Sequence, residues 1–362
     1  DSPPQLRKIF FETNHGTCRK AHRPIKTSET TGEPSTDKTV LEVLKAGGCG
    51  FADTLLLCRY WGKIRNTYLT GKDGQGGILQ HVEADGQVHP RWNQHLVKTQ
   101  RLSANKPPMQ TLPRGNIIRN LFVPKEGYHF VMGDSKQSEL RVIAVLAGDE
   151  PLLNTFKDGG DPHAETGAII SKVPLEKVTK EQRQRGKGVN FSIVFLQGAR
   201  SLGASIGVSE EKAQKYLNDW YKVHFKVKAF QEKLKRQILT RGFVESPHGR
   251  LRHFPDVGDK LFAQQNEDLR AGINHPVQCG SRLMVQRVML KLQEKFEEHP
   301  RWDAGFVVDS HDGFVIEVKA KYSKKVEKLV REIGEIPDPD LDGYSFPWDV
   351  KICEERWDEG DS

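Results

Sequence analysis

Tyr128-His-Phe-Val-Met-Gly-Asp134 is an apolar run that closes on a carboxylate. Two further runs, Phe306-Val-Val-Asp-Ser310 and Phe314-Val-Ile-Glu-Val318, flank a bend that holds His311-Asp312. β-Branched and aromatic residues dominate all three, which predicts strands. Asp134 and Asp312 are therefore offered at strand ends, and strand ends can converge in a sheet. A pair of hard oxygen ligands brought together there can hold divalent cations of the Mg²⁺ type, which phosphoryl transfer needs. Between them in sequence stand Arg183, Lys187, Phe191 and Phe195, each four residues after the last. On a helix that spacing puts two cations and two rings along one stripe, able to grip a triphosphate and a base.

The chain has 362 residues, enough for two or three domains that each bury a core. A formal net charge of +7 favours a polyanionic partner and is a weak pointer to nucleic acid. The five cysteines, Cys18, Cys49, Cys58, Cys279 and Cys353, are odd in number and include no CxxC pair. They read as reduced thiols of an intracellular protein rather than as a zinc or redox site. No run of about 18 apolar residues and no charged-then-apolar leader is present, so the expectation is a soluble, cytoplasmic protein with no membrane partner.

Helical patterning starts at once, over Pro4 to Phe11, as at the beginning of a fragment, and Asn14 to Lys38 reads as a polar loop. Ser35-Thr-Asp-Lys then caps a helix carrying Val40, Leu41, Val43 and Leu44, and a second helix runs from about Phe51 to Tyr68. The alternation from Ile78 to Val97, broken by Gly86 and Pro90, predicts a small antiparallel hairpin. After Asp134, Glu139 to Leu146 is a helix, and the chain stays largely helical to about Lys260, a helical insertion between strands. Gly242 to Arg252 reads as a hairpin. Glu267 to Phe296 reads as a long amphipathic helix carrying Arg270, Asn274 and Gln278, Lys321 to Ile333 as a charged surface helix, and Trp348 to Ile352 as a closing strand.

Taken in order, these pieces resemble the polymerase domain of the family A DNA polymerases, the DNA polymerase I type, from about Ser2 to the C-terminus. The first motif is Asp134-Ser-Lys-Gln-Ser-Glu-Leu-Arg141, the second Arg183-Gln-Arg-Gly-Lys-Gly-Val-Asn-Phe-Ser-Ile-Val-Phe195, and the third His311-Asp312. Thr99 to Ser103, Asp161-Pro-His163, Gly249-Arg250, Arg270 to Asn274 with Gln278, and Glu355-Arg-Trp-Asp358 support them. The resemblance implies an α+β, right-hand polymerase fold: a partial thumb over 1–68, palm over 69–139, helical fingers over 140–264, and the rest of an antiparallel palm sheet over 265–362. It implies a template-directed DNA polymerase, a nucleotidyltransferase of replication or repair that adds deoxynucleotides to a primer 3′ end by two-metal phosphoryl transfer.

The same resemblance assigns roles where the motif residues stand in place. Asp134 and Asp312 look like the ligands of two Mg²⁺ ions, with Mn²⁺ as a substitute. Lys187 would be catalytic, neutralising triphosphate oxygens and protonating the pyrophosphate, with Arg183 and His163 as further phosphate partners. Phe191, Phe195 and Gln137 would complete the nucleotide site, with Glu139 as the steric gate against a ribose 2′-hydroxyl. Arg101, Arg270, Asn274, Gln278 and His311 would touch primer and template. The implied partners are primer–template DNA, deoxynucleoside triphosphates and the remainder of a longer polymerase chain, in the cytoplasm of a bacterial or phage-infected cell.

Three departures stand out. Gly313 follows Asp312 where the family pattern has Glu, Lys136 and Ser138 replace a small polar and a bulky aliphatic residue, and Phe195-Leu196 stands for Tyr-Gly, without the hydroxyl that would bond Glu139. They imply a divergent member of viral or phage kind. They also motivate two alternatives: relaxed template or sugar choice, reverse transcriptase-like, and a catalytically silent primer–template binding module. Singly, a strand-end Asp is usually a turn former, and charges spaced like Arg183 and Lys187 are usually a solvated helix face. The joint order of the motifs carries the functional reading.

Overall fold

The computed structural model describes residues 2–12, 22, 24–28, 31–72, 75–113, 116–310 and 312–357. They fall into two compact units, one of residues 1–91 with 105–113 and one of 92–104 with 114–362. In the first unit, Asp37 Oδ1 accepts from the Val40 amide at 3.0 Å and starts the helix Lys38–Ala46. Its Val40, Leu41 and Leu44 bury against Leu6, Phe10 and Ala52, the last from the helix Gly50–Lys63. The helices predicted here are present, while residues 14–21, 23, 29 and 30 of the predicted loop from 14 to 38 lie outside the described residues. Cys49 is disulfide-bonded, which corrects the reading of five reduced thiols.

The hairpin predicted over 78–97 does not form. Ile78–His81 is a turn of 3₁₀ helix, a single bridge joins Val82 to Val88, and Arg91–Asn93 pairs instead with Ser103–Asn105. Pro90 has no N–H to give to a ladder, so continuous pairing begins only after it.

The second unit is built on a four-stranded antiparallel sheet. Its strands are β1 (Tyr128–Ser135), β2 (Gly305–Asp309), β3 (Gly313–Lys319) and β4 (Trp348–Cys353), in spatial order β4-β1-β3-β2. On one face Phe314, Ile316 and Val318 of β3 stand opposite Gly133, Val131 and His129 of β1, and Trp348 and Val350 of β4 continue that face. Val326 and Val330 of the helix Ser323–Gly334 are buried in the same core. Asp134 points to the other face, directly opposite both Gly313 and Asp349.

Between β1 and β2 lies the predicted helical insertion. It includes α1 (Ser138–Ala147), α2 (Pro162–Ser171) and α3 (Lys180–Val194), and leads into the long α4 (Phe262–Glu298). Helices α2 and α3 meet backbone to backbone. A Cβ added at Gly186 would stand 2.2 Å from the His163 carbonyl oxygen, and one at Gly167 2.9 Å from that of Gln182. At the far side of the sheet, Arg282 of α4 and Asp309 of β2 form a buried ion pair at 2.5 Å.

The contact at Gly186 predicts that Gly186→Ala forces the two backbones apart at a cost of ~1–3 kcal/mol, the usual range for overpacking. Urea unfolding of the two proteins checks it, and an unchanged midpoint would contradict the contact.

Candidate active site

The bend before β3 is clipped to the end of β1. The Ser135 amide donates to the Asp312 carbonyl at 2.9 Å, and the Asp312 amide donates to the Ser310 carbonyl at 3.1 Å. Asp134 and Asp312 thus come from distant parts of the chain to one sheet end, and both reach solvent. One hard oxygen donor near a strand end and one in the bend before the neighbouring strand, both accessible, are of the kind that suits a divalent cation. Gly313 has a steric reason: a Cβ there would lie 2.2 Å from the Gly133 carbonyl oxygen and 2.9 Å from Asp134 Oδ1. Neither of the neighbouring acids replaces the missing carboxylate, because Asp309 is buried on Arg282 and Glu317 is engaged by Lys125.

Glu139 lies in the first turn of α1, after Gln137, which holds a left-handed φ of +52°. Arg101 Nη2 donates to Glu139 Oε1 at 2.6 Å and stands 3.8 Å from Asp312 Oδ1. Burial pushes the Glu139 carboxyl up to about 7, opposed by Arg101 and assisted by the charge of Asp312. Arg101 is thus the partner of Glu139. Ser138 is buried and accepts from Ser281 Oγ at 2.8 Å, and Lys136 Nζ pairs with Asp349 at 2.7 Å.

Helix α3 opens with a capping box in which Gln182 N donates to Thr179 Oγ1 and Thr179 N donates to Gln182 Oε1. Along it, Lys187 Nζ lies 6.0 Å from the Phe191 ring centroid, and the Phe191 and Phe195 rings stack at 6.0 Å, 4° from parallel. Phe191 is 46% exposed, so its ring is a platform rather than core. Arg183 is not free in this state, since its Nε donates to Asp161 Oδ2, and Asp161 also caps α2 through the His163 and Ala164 amides. Burial pushes the Asp161 carboxyl up, but Arg183 and the two amides together hold it below the usual carboxylate range.

His163 is buried, and its ring lies 6.5 Å from that of Phe191 at 20°. Its Nδ1 is 3.0 Å from Asn190 Nδ2, and the Asn190 amide is oriented by Thr166 Oγ1 and Trp220 Nε1, which both donate to its oxygen. Nδ1 is therefore an acceptor, and the ring proton sits on Nε2. Burial pushes the imidazole down to about 4, opposed by Asp161 and assisted by Arg183 and Lys187. Asn190 was not among the residues singled out from sequence, although an amide between Val189 and Phe191 on a packed helix is a signal of a buried polar bond.

Arg270, Asn274 and Gln278 recur every fourth residue on α4, each at least partly exposed, while Leu269, Ile273 and Val277 are buried. The field of Arg101 reaches this helix: burial pushes the Cys279 thiol up to about 11 against the pull of Arg250, Arg252 and Arg101. His311 and Asp358 lie outside the described residues. Among the described residues, His248, Asp338 and Asp340 have ligand atoms within 4.8 Å of one another, but Arg287 already donates to both carboxylates.

The sequence model of the family described as DNA polymerase family A matches residues 1–349. The chain belongs to DNA polymerase family A. It is 30% identical to DNA polymerase I of Pseudomonas aeruginosa over 99% of this chain and 38% of that protein. It is 32% identical to the thermostable DNA polymerase I of Thermus aquaticus over 92% of this chain and 39% of that one. The chain therefore spans about two fifths of the length of the curated relatives it matches. Among solved structures it is similar to the POL domain of Pol1 from M. smegmatis in complex with DNA primer-template and dNTP, with a TM-score of 0.85 and 25% identity, over 98% of this chain and 60% of that one. The α+β fold expected from sequence is thus the fold of a family A polymerase domain.

In this family A chain the neutral His163 gives a pH signature. Its folded value, about 4, lies below the ordinary 6.5, so its contribution to stability is full above 6.5 and is lost as pH falls towards 4. The loss amounts to ~3 kcal/mol at 1.4 kcal/mol per unit. Unfolding free energies at pH 7 and pH 4.5 should differ by less in His163→Gln than in the parent, and equal differences would contradict the buried neutral ring.

Proposed function

We propose that this chain is a template-directed DNA polymerase that extends a primer 3′ end with deoxynucleoside triphosphates on a DNA template. The observation that supports the reading is the pairing of β1 with β3, which brings Asp134 and the bend holding Asp312 to one sheet end, both carboxylates reaching solvent. Two Mg²⁺ ions, or Mn²⁺ in their place, would be held by these aspartates and would activate the primer hydroxyl and stabilise the leaving pyrophosphate. Residues 1–68 would serve as part of a thumb, 69–139 and 265–362 as palm, and 140–264 as fingers, in a cytoplasmic protein that is part of a longer polymerase.

Arg183 and Lys187 would meet the triphosphate, Arg183 by exchanging Asp161 for phosphate oxygens, and Lys187 would deliver a proton to the pyrophosphate. His163, neutral and donating from Nε2, would add a bond that does not depend on pH in the working range. Phe191 and Phe195, with Gln137 at the head of α1, would seat the base and sugar. Arg101, Arg270, Asn274, Gln278 and His311 suit the minor-groove edge, where acceptors are common to all base pairs. Backbone phosphates would supply most of the affinity and make it fall with salt. Glu139 would close the space a 2′-hydroxyl needs. Because Arg101 donates to Glu139, the missing hydroxyl at Phe195 would not leave this gate without a partner, which weighs against relaxed sugar choice on that ground. The silent-module reading is opposed by the accessible aspartates together with the intact stripe.

Lys187→Ala is expected to lower the single-turnover incorporation rate by roughly 10²-fold, the range for loss of a general acid. Primer–template affinity should stay within about twofold, because one of many phosphate-facing charges is removed. Rapid-quench incorporation with a binding titration measures both, and unchanged incorporation would overturn the assignment.

A further inference from the structure

The tip of the hairpin at 243–253 and the turn before β4 meet over α4. A Cβ added at Gly280 of α4 would stand 3.5 Å from Pro247 Cγ and 3.6 Å from Leu341 Cδ2, so the small residue lets both segments rest on the helix. Their meeting gathers His248, Asp338 and Asp340, with one donor atom of each within 4.8 Å of the others. The Asp338 side chain is 4% exposed and that of His248 10%. Both ring nitrogens of His248 are shut off from solvent and neither has a hydrogen-bond partner, although Nε2 stands 3.7 Å from Asp340 Oδ2. Buried polar groups are ordinarily paired, and an unpaired buried imidazole beside two carboxylates suits an electron-pair acceptor. Burial pushes this imidazole below its ordinary value, assisted by Arg287 and opposed by Asp338 and Asp340, which keeps the ring neutral and its lone pair available. Arg287 of α4 donates to Asp338 Oδ1 at 2.5 Å and to Asp340 Oδ2, but makes no bond to the ring.

We propose that His248, Asp338 and Asp340 are the ligands of a further divalent cation, of the Zn²⁺ class, for which Arg287 stands in while the protein is metal-free. A borderline cation takes an imidazole nitrogen and carboxylate oxygens together and leaves its fourth position to water. Tetrahedral bonds of about 2.0–2.2 Å put ligand atoms roughly 3.4 Å apart, close to the 3.7 Å between His248 Nε2 and Asp340 Oδ2. Arg287 reaches the carboxylates with a side chain partly in solvent, so it can swing out. Asp338-Pro-Asp340-Leu-Asp342-Gly343 also has the D-x-D-x-D-G spacing of a Ca²⁺ loop. The twelfth position of such a loop falls on Asp349, which β4 sets opposite Asp134 and which Lys136 engages. The buried ring nitrogen therefore favours a cation that accepts nitrogen over Ca²⁺, which takes oxygen. A metal here would tie the hairpin tip to the turn before β4. The inference is independent of the reading of Asp134 and Asp312.

The test is Zn²⁺ titration of the full chain against a chromophoric chelator, with Mg²⁺ in excess, for the parent, His248→Phe, Asp340→Asn and Arg287→Met. Circular dichroism checks that each is folded. His248→Phe removes no hydrogen bond, and Asp340 is partly exposed, so neither change should unfold the chain. Loss of either ligand should weaken Zn²⁺ binding by at least about 100-fold, the upper end of what even an outer partner of a metal site costs. Arg287→Met should tighten it by about fivefold or more, because a unit charge about 4 Å away no longer competes. Equal Zn²⁺ affinity in the parent, His248→Phe and Asp340→Asn overturns the proposal, since the cysteines that could take Zn²⁺ are the same in all three. Tight Ca²⁺ binding that survives in His248→Phe, with no Zn²⁺ preference in the parent, overturns it as well and assigns the turn to an oxygen-only site.

Discussion

Register across β4-β1-β3 is the constraint on which the rest of this sheet end depends. Side chains alternate along a strand, so a slip of one residue would carry Asp134 to the face that holds Phe314, Ile316 and Trp348. Burial on that face forbids the slip: Val131 and Ile316, which stand opposite each other, are both fully buried. Moving a carboxylate in among them would cost several kcal/mol unless it were paired. The apolar face thus pins the polar one, and Asp134, Asp312 and Asp349 share a sheet end because Phe314, Ile316 and Val350 share a core. The same logic explains Gly313, since at that register the strands approach too closely for a side chain.

Charge pairing in the free protein has a consistent form. Glu139 is matched by Arg101, Asp161 by Arg183 and Asp349 by Lys136. On the proposed function, triphosphate binding at Arg183 would therefore be an exchange of partners rather than the filling of a bare charge. The Arg183–Asp161 and Lys136–Asp349 pairs are exposed, contribute little and are screened by salt, so exchanging their partners is cheap. The Arg282–Asp309 pair is different. It is buried, joins α4 to β2, and removing one partner would leave an uncompensated charge in the core.

Much of this was legible in the chain itself, because period and cap chemistry are local. The strand ends at Asp134 and Asp312, the four-residue stripe of α3, the Asp37 cap and the hairpin at 243–253 all follow from patterns within a few residues. What was not legible is long-range or steric. Asp349 in a short strand has no local mark, and only the pairing of β4 with β1 brings it to Asp134. Asn190 between Val189 and Phe191 signals a buried polar bond, but its partners Trp220 and His163 come from distant helices. Gly167 and Gly186 gain their meaning from the helix packed against them. The alternation over 78–97 misled because it does not report that Pro90 interrupts the ladder, nor that Arg91–Asn93 finds its partner at 103–105.

The central claim is that Asp134 and Asp312 form the reacting centre of a DNA polymerase. Primer extension on a DNA template with Mg²⁺ and all four deoxynucleotides, comparing the chain with its Asp312→Ala variant, tests it most directly. The account predicts extension by the parent and none by the variant, with primer–template bound by both. Extension that survives in the variant, or bound primer–template that neither protein extends, would contradict it.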